Sequence, residues 1–163
     1  MNKYLILAII LLLIYCYCYF IFNFDITILQ TSLNDFNFNL LYQKQPLIIE
    51  DKIIDYNNLV SSWFKQNIIY DNISYNCNFW NTNNFKYLFI YSINDTEILL
   101  NKPNIKKIIP DETDQIVSIQ LYTNQCLILP FKWKYFIENN NDLIIIGIHD
   151  YITYFLAFFT TFF

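Results

Sequence analysis

The chain of 163 residues contains no arginine, one histidine (His149) and one glycine (Gly147). The scarcity of these residue types excludes several functions. A phosphate-cradling loop needs glycines, so a nucleotide-binding loop is excluded. Nucleic-acid binding needs a basic face, but the net charge is −4 and no lysine cluster exceeds the adjacent pair at 106–107. A single histidine with no CxxC spacing does not support a structural zinc site. We expect no nucleic-acid partner, no metal and no cofactor.

The composition is otherwise dominated by Ile, Asn, Phe and Tyr, with alanine at only two positions. Codons rich in A and T encode this set of residues, so the abundance of asparagine and tyrosine is weak evidence for a binding surface. Beyond the first 24 residues, about 140 residues remain, which is enough for one domain with a single core. No internal repeat or long linker interrupts them.

The most pronounced pattern is the apolar run at residues 4–22, which has no charge, glycine or proline. A helix of that length would rise roughly 28 Å, close to the thickness of a bilayer core. We expect residues 1–24 to form a transmembrane anchor with the lipid bilayer as partner; a cleaved signal peptide is the alternative. Lys3 precedes the run and Asp25 follows it, which favours a cytosolic N-terminus and a translocated C-terminal domain.

After a stem at 25–42, the pattern predicts a mainly β domain with one or two helices. A strand is expected at 45–50, and Asp55 is placed to begin a helix over 56–66. Asp95 is expected to cap a short helix over 97–100. Short apolar runs separated by turn residues then indicate antiparallel hairpins at 116–123, 126–129, 134–138 and 143–149, with a tight turn at 139–142. The apolar tail at 151–163 is expected to be a last strand or helix on the core, or an interfacial segment.

Two short motifs resemble the cupin-like domains of the JmjC type. The run KQPLII at 44–49, followed by a helix with Trp63, is similar to the opening of that family. The run NQCLILPFKWKY at 124–135 is similar to its G-D-hhhh-P-x-x-W-x-H segment, with Pro130 and Trp133 in place. The resemblance implies that residues 43–150 form a reduced double-stranded β-helix barrel. It also implies a likeness to short, membrane-anchored forms from large A/T-rich DNA viruses.

The chain departs from this family at the metal site. Tyr135 stands where the family has its distal histidine, and Asn124 and Gln125 replace the Gly-Asp turn. A facial iron triad needs two imidazoles and one carboxylate, which one histidine cannot supply. The resemblance therefore implies a pseudoenzyme, in which Asn124, Gln125, Pro130, Trp133 and Tyr135 form a degenerate pocket that the Phe131 side chain helps to fill.

Other candidate residues carry weaker signals. Cys77 and Cys126 would form a disulfide in an oxidising compartment, or they are small buried thiols. Asn72 and Asn94 begin glycosylation sequons, at a frequency that chance explains. The acidic cluster at 111–114 is expected to be a solvated turn rather than a glycosidase pair.

These observations predict a non-catalytic, membrane-anchored structural or interaction protein, as part of a viral membrane or virion, whose further partner is another protein. The alternative is a membrane-bound enzyme, oxygenase-like or glycan-modifying, that uses carboxylates or tyrosines. An open pocket with convergent titratable groups would favour the enzyme, and a barrel filled by side chains would favour the interaction protein.

Overall fold

A computed structural model describes residues 3–19, 21–22, 25–104, 109–111, 114–138 and 143–160. Four helices lie within these ranges: α1 (Lys3–Tyr19), α2 (Asn39–Tyr42), α3 (Tyr56–Trp63) and α4 (Tyr151–Thr160). Ten strands accompany them: β1 (Leu29–Thr31), β2 (Leu47–Ile49), β3 (Ile68–Tyr70), β4 (Trp80–Thr82), β5 (Tyr87–Ser92), β6 (Thr96–Asn101), β7 (Ile116–Leu121), β8 (Cys126–Pro130), β9 (Lys134–Ile137) and β10 (Leu143–His149). The prediction of a mainly β fold with minor helix is confirmed.

The N-terminal apolar run forms helix α1, which is shorter than the run itself. Its 17 residues rise roughly 26 Å, against the roughly 30 Å of a bilayer core. None of the helices in the described part of the chain is both long enough and apolar enough to cross a membrane. The predicted transmembrane anchor over 1–24, and with it the single-pass membrane location and the signal-anchor role, is therefore wrong.

The strands form two sheets, with a nested order of pairing. The six-stranded sheet has the order β1-β2-β8-β5-β10-β3, and the four-stranded sheet has the order β4-β9-β6-β7. From β3 onward the strands pair from the outside of the sequence inward, as β3 with β10, β4 with β9, β5 with β8 and β6 with β7, all antiparallel. The predicted stem contributes β1, which pairs in parallel with β2 at the edge of the larger sheet.

The predicted closed barrel is wrong, because the two sheets stay separate. Barrel closure requires every strand to hydrogen-bond on both sides, but the described strands at the sheet edges pair on one side only and none pairs across to the other sheet. Aliphatic side chains from both sheets fill the space between them. This core includes Leu88 and Ile90 of β5, Leu127 of β8, and Ile98 and Leu100 of β6.

The outer face of the larger sheet is also buried. Tyr87, Phe89 and Tyr91 alternate along β5 with the inward residues and pack against Val60 and Phe64 at helix α3. Burial on both faces explains why this strand reads as an unbroken apolar run.

Helix α3 begins as predicted, because the Asp55 carboxylate accepts a hydrogen bond from the Asn58 amide at 2.9 Å.

The short helix predicted over 97–100 is wrong, because this segment is strand β6. It hydrogen-bonds to β7 on one side and β9 on the other, and Ile98 and Leu100 enter the core between the sheets. The local capping signal is outweighed by this burial. The Asp95 carboxylate instead accepts hydrogen bonds from the Thr123 amide at 2.8 Å and hydroxyl at 2.7 Å, joining two turns. These bonds lower the pKa of Asp95.

The C-terminal tail begins as helix α4 directly after β10. Asp150 caps it, because its carboxylate accepts from the Thr153 amide at 2.7 Å while the Thr153 hydroxyl accepts from the Asp150 amide at 3.0 Å. The same carboxylate pairs with Lys86 at 2.7 Å and lies 3.5 Å from the Tyr15 hydroxyl of α1. Asp150 therefore connects α1, α4 and the start of β5.

The tight turn predicted at 139–142 lies outside the described residues.

Candidate functional site

The two motifs that carry the family resemblance meet in the structure. The indole Nε1 of Trp133 donates a hydrogen bond to the Lys44 carbonyl at 3.0 Å. Strand β2, which follows Lys44, pairs with β8, which ends at Pro130. The buried Asn83 donates through its side chain to the carbonyls of Leu129 and Pro130 at 2.9 and 2.8 Å. The two motifs, about 80 positions apart in sequence, thus form one corner of the larger sheet.

Asn124 and Gln125 lie in the turn between β7 and β8. Asn124 has a φ of 67°, a left-handed conformation that asparagine tolerates better than most residues. Its side-chain oxygen accepts from the Tyr91 hydroxyl at 2.7 Å. The Gln125 amide donates to the Glu50 carbonyl at 2.9 Å. Both side chains therefore connect this turn to neighbouring segments.

Trp133 and Tyr135 lie in the core between the sheets, at 2% and 4% exposure. Burial raises the pKa of the Tyr135 hydroxyl, and Tyr75 adds to this effect. A redox iron needs imidazole and carboxylate ligands with open coordination positions. The residues at this position do not fit such a metal, because they are aromatic and packed. Among the described residues, no three His, Cys, Asp or Glu side chains are grouped closely enough to hold a metal ion.

The remaining predicted site residues are dispersed. Neither Cys77 nor Cys126 belongs to a disulfide. Cys126 is a buried thiol under the outer face of the larger sheet, and burial raises its pKa. Asn72 and Asn94 are exposed, and the Asn94 carbonyl accepts from the sequon hydroxyl of Thr96 at 2.9 Å. Thr96 itself is buried.

The acidic cluster forms a turn at its two described carboxylates. The Asp111 amide donates to the Asp114 carboxylate at 3.0 Å, and the Asp114 amide donates to the Asp111 carbonyl at the same distance. Glu112 lies outside the described residues. These hydrogen bonds within the turn are compatible with the solvated-turn interpretation. Whether the sequons at Asn72 and Asn94 are glycosylated remains a prediction.

His149 lies in a buried, aromatic environment at the end of β10. It is 5% exposed, and its ring centroid is 4.6 Å from that of Phe85 and 5.9 Å from those of Tyr70 and Tyr154. Its Nδ1 lies 3.3 Å from the Thr153 hydroxyl oxygen. Burial lowers the pKa of this imidazole, and the neighbouring Asp150 opposes the shift only in part. His149 is a neutral packing residue beside helix α4.

Stability is therefore expected to fall below about pH 6.5, the pKa of an unfolded histidine. The unfolded chain binds a proton to His149 before the folded chain does, so the contribution is complete above about 6.5 and is lost as the pH falls towards the lower, folded pKa. Urea denaturation at pH 7.5 and pH 5.5 measures this loss. His149→Phe keeps a ring in place and should reduce the pH dependence; an equal loss in this variant would contradict the assignment.

A cleft of about 160 Å³ lies between the end of α1 and the corner of the larger sheet where the two motifs meet. Most of its lining is apolar and aromatic. The residues that line it are Tyr15, Cys18, Phe22, Leu41, Tyr42, Lys44, Lys86, Tyr87, Pro130 and Phe131. They come from four separate segments of the chain.

Two lysines, Lys44 and Lys86, line this cleft. Lys44 Nζ donates to the Cys18 carbonyl and, at 2.8 Å, to the Ile21 carbonyl, and so neutralises the negative end of the helix dipole. Burial lowers the pKa of Lys44, and a coulombic contribution from Cys18 opposes this shift. Lys86 pairs with Asp150. Burial also raises the pKa of the Tyr87 hydroxyl, so this group stays neutral.

Local sequence signals point to only parts of this cleft. Lys44 and Pro130 belong to the two motifs, but the run at 4–22 carries the pattern of a membrane segment and Lys86 carries no signal. No protein-family model, curated protein or solved structure matches this chain significantly. The cupin-like relationship stays a prediction.

Proposed function

We infer that this chain is a non-catalytic interaction protein built on a metal-free, cupin-like domain. The observation that carries the proposal is the packing between the sheets. Tyr135, which stands where the resembled family has its distal histidine, and Trp133, which that family shares, belong to one buried cluster with Leu100 and Ile98. A catalytic pocket must leave space for substrate beside convergent polar groups. Side chains occupy that space between the two sheets. The open cleft at α1 is separate from it, and none of the described residues that line this cleft is a carboxylate that could serve with Lys44 or Lys86 as an acid–base pair.

The nested pairing of β3 to β10 supports the cupin-like part of the proposal. Jelly rolls, including cupins, are built from eight strands in two packed sheets. The eight strands here divide four and four between the sheets. The contact between Trp133 and the Lys44 carbonyl adds support, because it joins the two motifs on which the resemblance was based. The likeness to viral proteins has no further support.

Helix α1 supports an interaction role. Its apolar side chains are exposed all along the helix, with Leu7 at 55%, Leu11 at 58% and Leu13 at 63%. Large contiguous apolar surfaces on a folded chain mark sites of association. A helix that is apolar on all sides is normally covered by other molecules. The partner proposed for this surface is another protein.

Metal loading of the purified chain tests the non-catalytic assignment. The protein is incubated anaerobically with Fe(II), Mn(II) or Zn(II) and 2-oxoglutarate, desalted, and analysed for metal content. The proposal predicts substoichiometric metal in the wild type and the same content in His149→Phe, because no ligand set depends on that imidazole. One equivalent of iron retained by the wild type would overturn the proposal.

The alternative enzyme, with carboxylates or tyrosines as catalytic groups, has less support. The Asp114 carboxylate accepts a hydrogen bond from the Asp111 backbone amide within its own turn. Asp150 is engaged by Lys86 and by the start of α4. Tyr135 and Tyr87 are buried, with pKa values raised away from the range in which a tyrosine would exchange protons at neutral pH.

A further inference from the structure

The cleft at the end of α1 has the size and surface of a small binding site. Its volume is about 160 Å³, and an apolar protein cavity of about 150 Å³ is large enough to bind benzene. The side chains of Phe22, Tyr87 and Phe131 contribute aromatic surface to it. A ring or a short alkyl chain therefore fits this space.

Each of these three aromatic rings is accompanied by a lysine. The Nζ atoms lie 5.8 Å from the centroid of Phe22 for Lys44 and 5.6 Å from that of Tyr87 for Lys86. For Phe131, the Nζ of Lys132 lies 5.0 Å from the centroid. Such separations lie within the range of cation–π interactions.

The charge at the cleft is opposite in sign to that of the chain. The chain carries a net charge of −4, but Lys44 and Lys86 both line the cleft, and none of the described residues in its lining is a carboxylate. Asp150 offsets one of these charges from outside the lining, through its contact with Lys86. The cleft therefore combines an apolar wall with positive charge.

Partial burial of Lys44 strengthens the attraction for an anion. Burial lowers the pKa of Lys44, which means that its ammonium form has lost favourable hydration. The Cys18 and Ile21 carbonyls that accept from this ammonium carry no net charge, so an acid group brought close to it adds a charge interaction that they do not supply. The gain is larger than for an exposed lysine such as Lys65.

We propose that this cleft binds a small anionic amphiphile. The apolar chain or ring lies against Phe22, Tyr87 and Phe131, and the acid group contacts the lysine ammonium groups that line the cleft. The ligand belongs to the class of medium-chain or aromatic carboxylates. Residues from the two cupin-like motifs and from α1 contribute together, so the site requires α1 to be docked as described.

Calorimetric titration with three matched eight-carbon compounds tests the proposal. Octanoate carries the negative head group, 1-octanol a neutral one and octylammonium a positive one. The full chain should bind octanoate at least about tenfold more tightly than 1-octanol, and octylammonium more weakly still. Equal affinity for octanoate and 1-octanol would overturn the proposal, since the cleft would then recognise only an apolar chain. Failure of octanoate to bind would also overturn it.

Two pairs of variants locate the binding. Lys86→Met should weaken octanoate binding about fivefold to tenfold, whereas Lys65→Met, the same change of charge at an exposed site, should leave it unaffected. Cys18→Trp should fill the cleft and block binding, whereas Leu11→Trp, on an exposed part of α1, should not. If Cys18→Trp binds octanoate as the wild type does, the ligand lies elsewhere and the proposal fails. Circular dichroism verifies that each variant retains its fold.

Discussion

Trp133→Ala is expected to lower the free energy of unfolding by about 3–5 kcal/mol. The indole is 2% exposed and packs with side chains of both sheets, so its removal leaves a cavity in the core. It also leaves the Lys44 carbonyl without the hydrogen bond from Nε1. Because small domains have total stabilities of about 5–15 kcal/mol, this single change removes a large part of the stability.

Two matched variants separate the contributions at this position. Trp133→Phe keeps most of the buried ring but loses the indole donor, and should cost about 1–2 kcal/mol. Trp80→Ala removes a tryptophan that is only partly buried on the edge strand β4, and should cost less than half as much as Trp133→Ala. Urea denaturation followed by far-UV circular dichroism measures all three. A loss below about 1 kcal/mol for Trp133→Ala would indicate a pocket rather than a packed core.

Gly147→Ala is expected to destabilise the domain by about 1–3 kcal/mol. A Cβ at this position would lie 2.4 Å from Cδ1 and Cε1 of Phe85, well inside van der Waals contact. The Phe85 ring cannot move away cheaply, because it packs against His149 and Tyr70. Within an ordinary strand the same change would stabilise the folded state by roughly 0.5–1 kcal/mol. The steric conflict with Phe85 therefore reverses the sign of the expected change in stability.

A double-mutant cycle with Phe85→Ala tests this reason. In the background without the ring, Gly147→Ala should be neutral or stabilising, although Phe85→Ala alone costs stability. Chemical denaturation of the wild type, both single variants and the double variant supplies the coupling energy. If Gly147→Ala costs as much in the Phe85→Ala background as in the wild type, the ring is not the source of the conflict. Backbone geometry at β10 would then be responsible.

Local sequence patterns predicted those helices and strands whose local propensity agrees with the tertiary contacts that the segment makes. Asp55 begins helix α3 as expected, and the apolar runs after residue 115 are strands β7 to β10. The helix predicted over 97–100 failed because an aspartate followed by apolar residues is compatible with both states. Pairing with β7 and β9, which depends on distant segments, decided between them.

The candidate site was harder to predict than the strands. The sequence motifs predicted that Trp133 and Tyr135 line a pocket. In the structure both side chains are instead buried in the core between the two sheets. The cleft at α1 combines Lys44 and Lys86 with aromatic residues from distant positions. No local pattern connects such residues, and the exposure of their surfaces depends on how α1 docks.

The sequence by itself determined that a chain with one histidine lacks the second imidazole of a two-histidine iron site. It also determined where most strands lie, because strand propensity and turn residues act over a few positions. Only the tertiary structure decided that α1 ends at Tyr19 and that Gly147 faces the Phe85 ring. It also decided that two lysines line an aromatic cleft. These features arise from contacts between segments far apart in the chain, whose geometry depends on the packing of the whole domain.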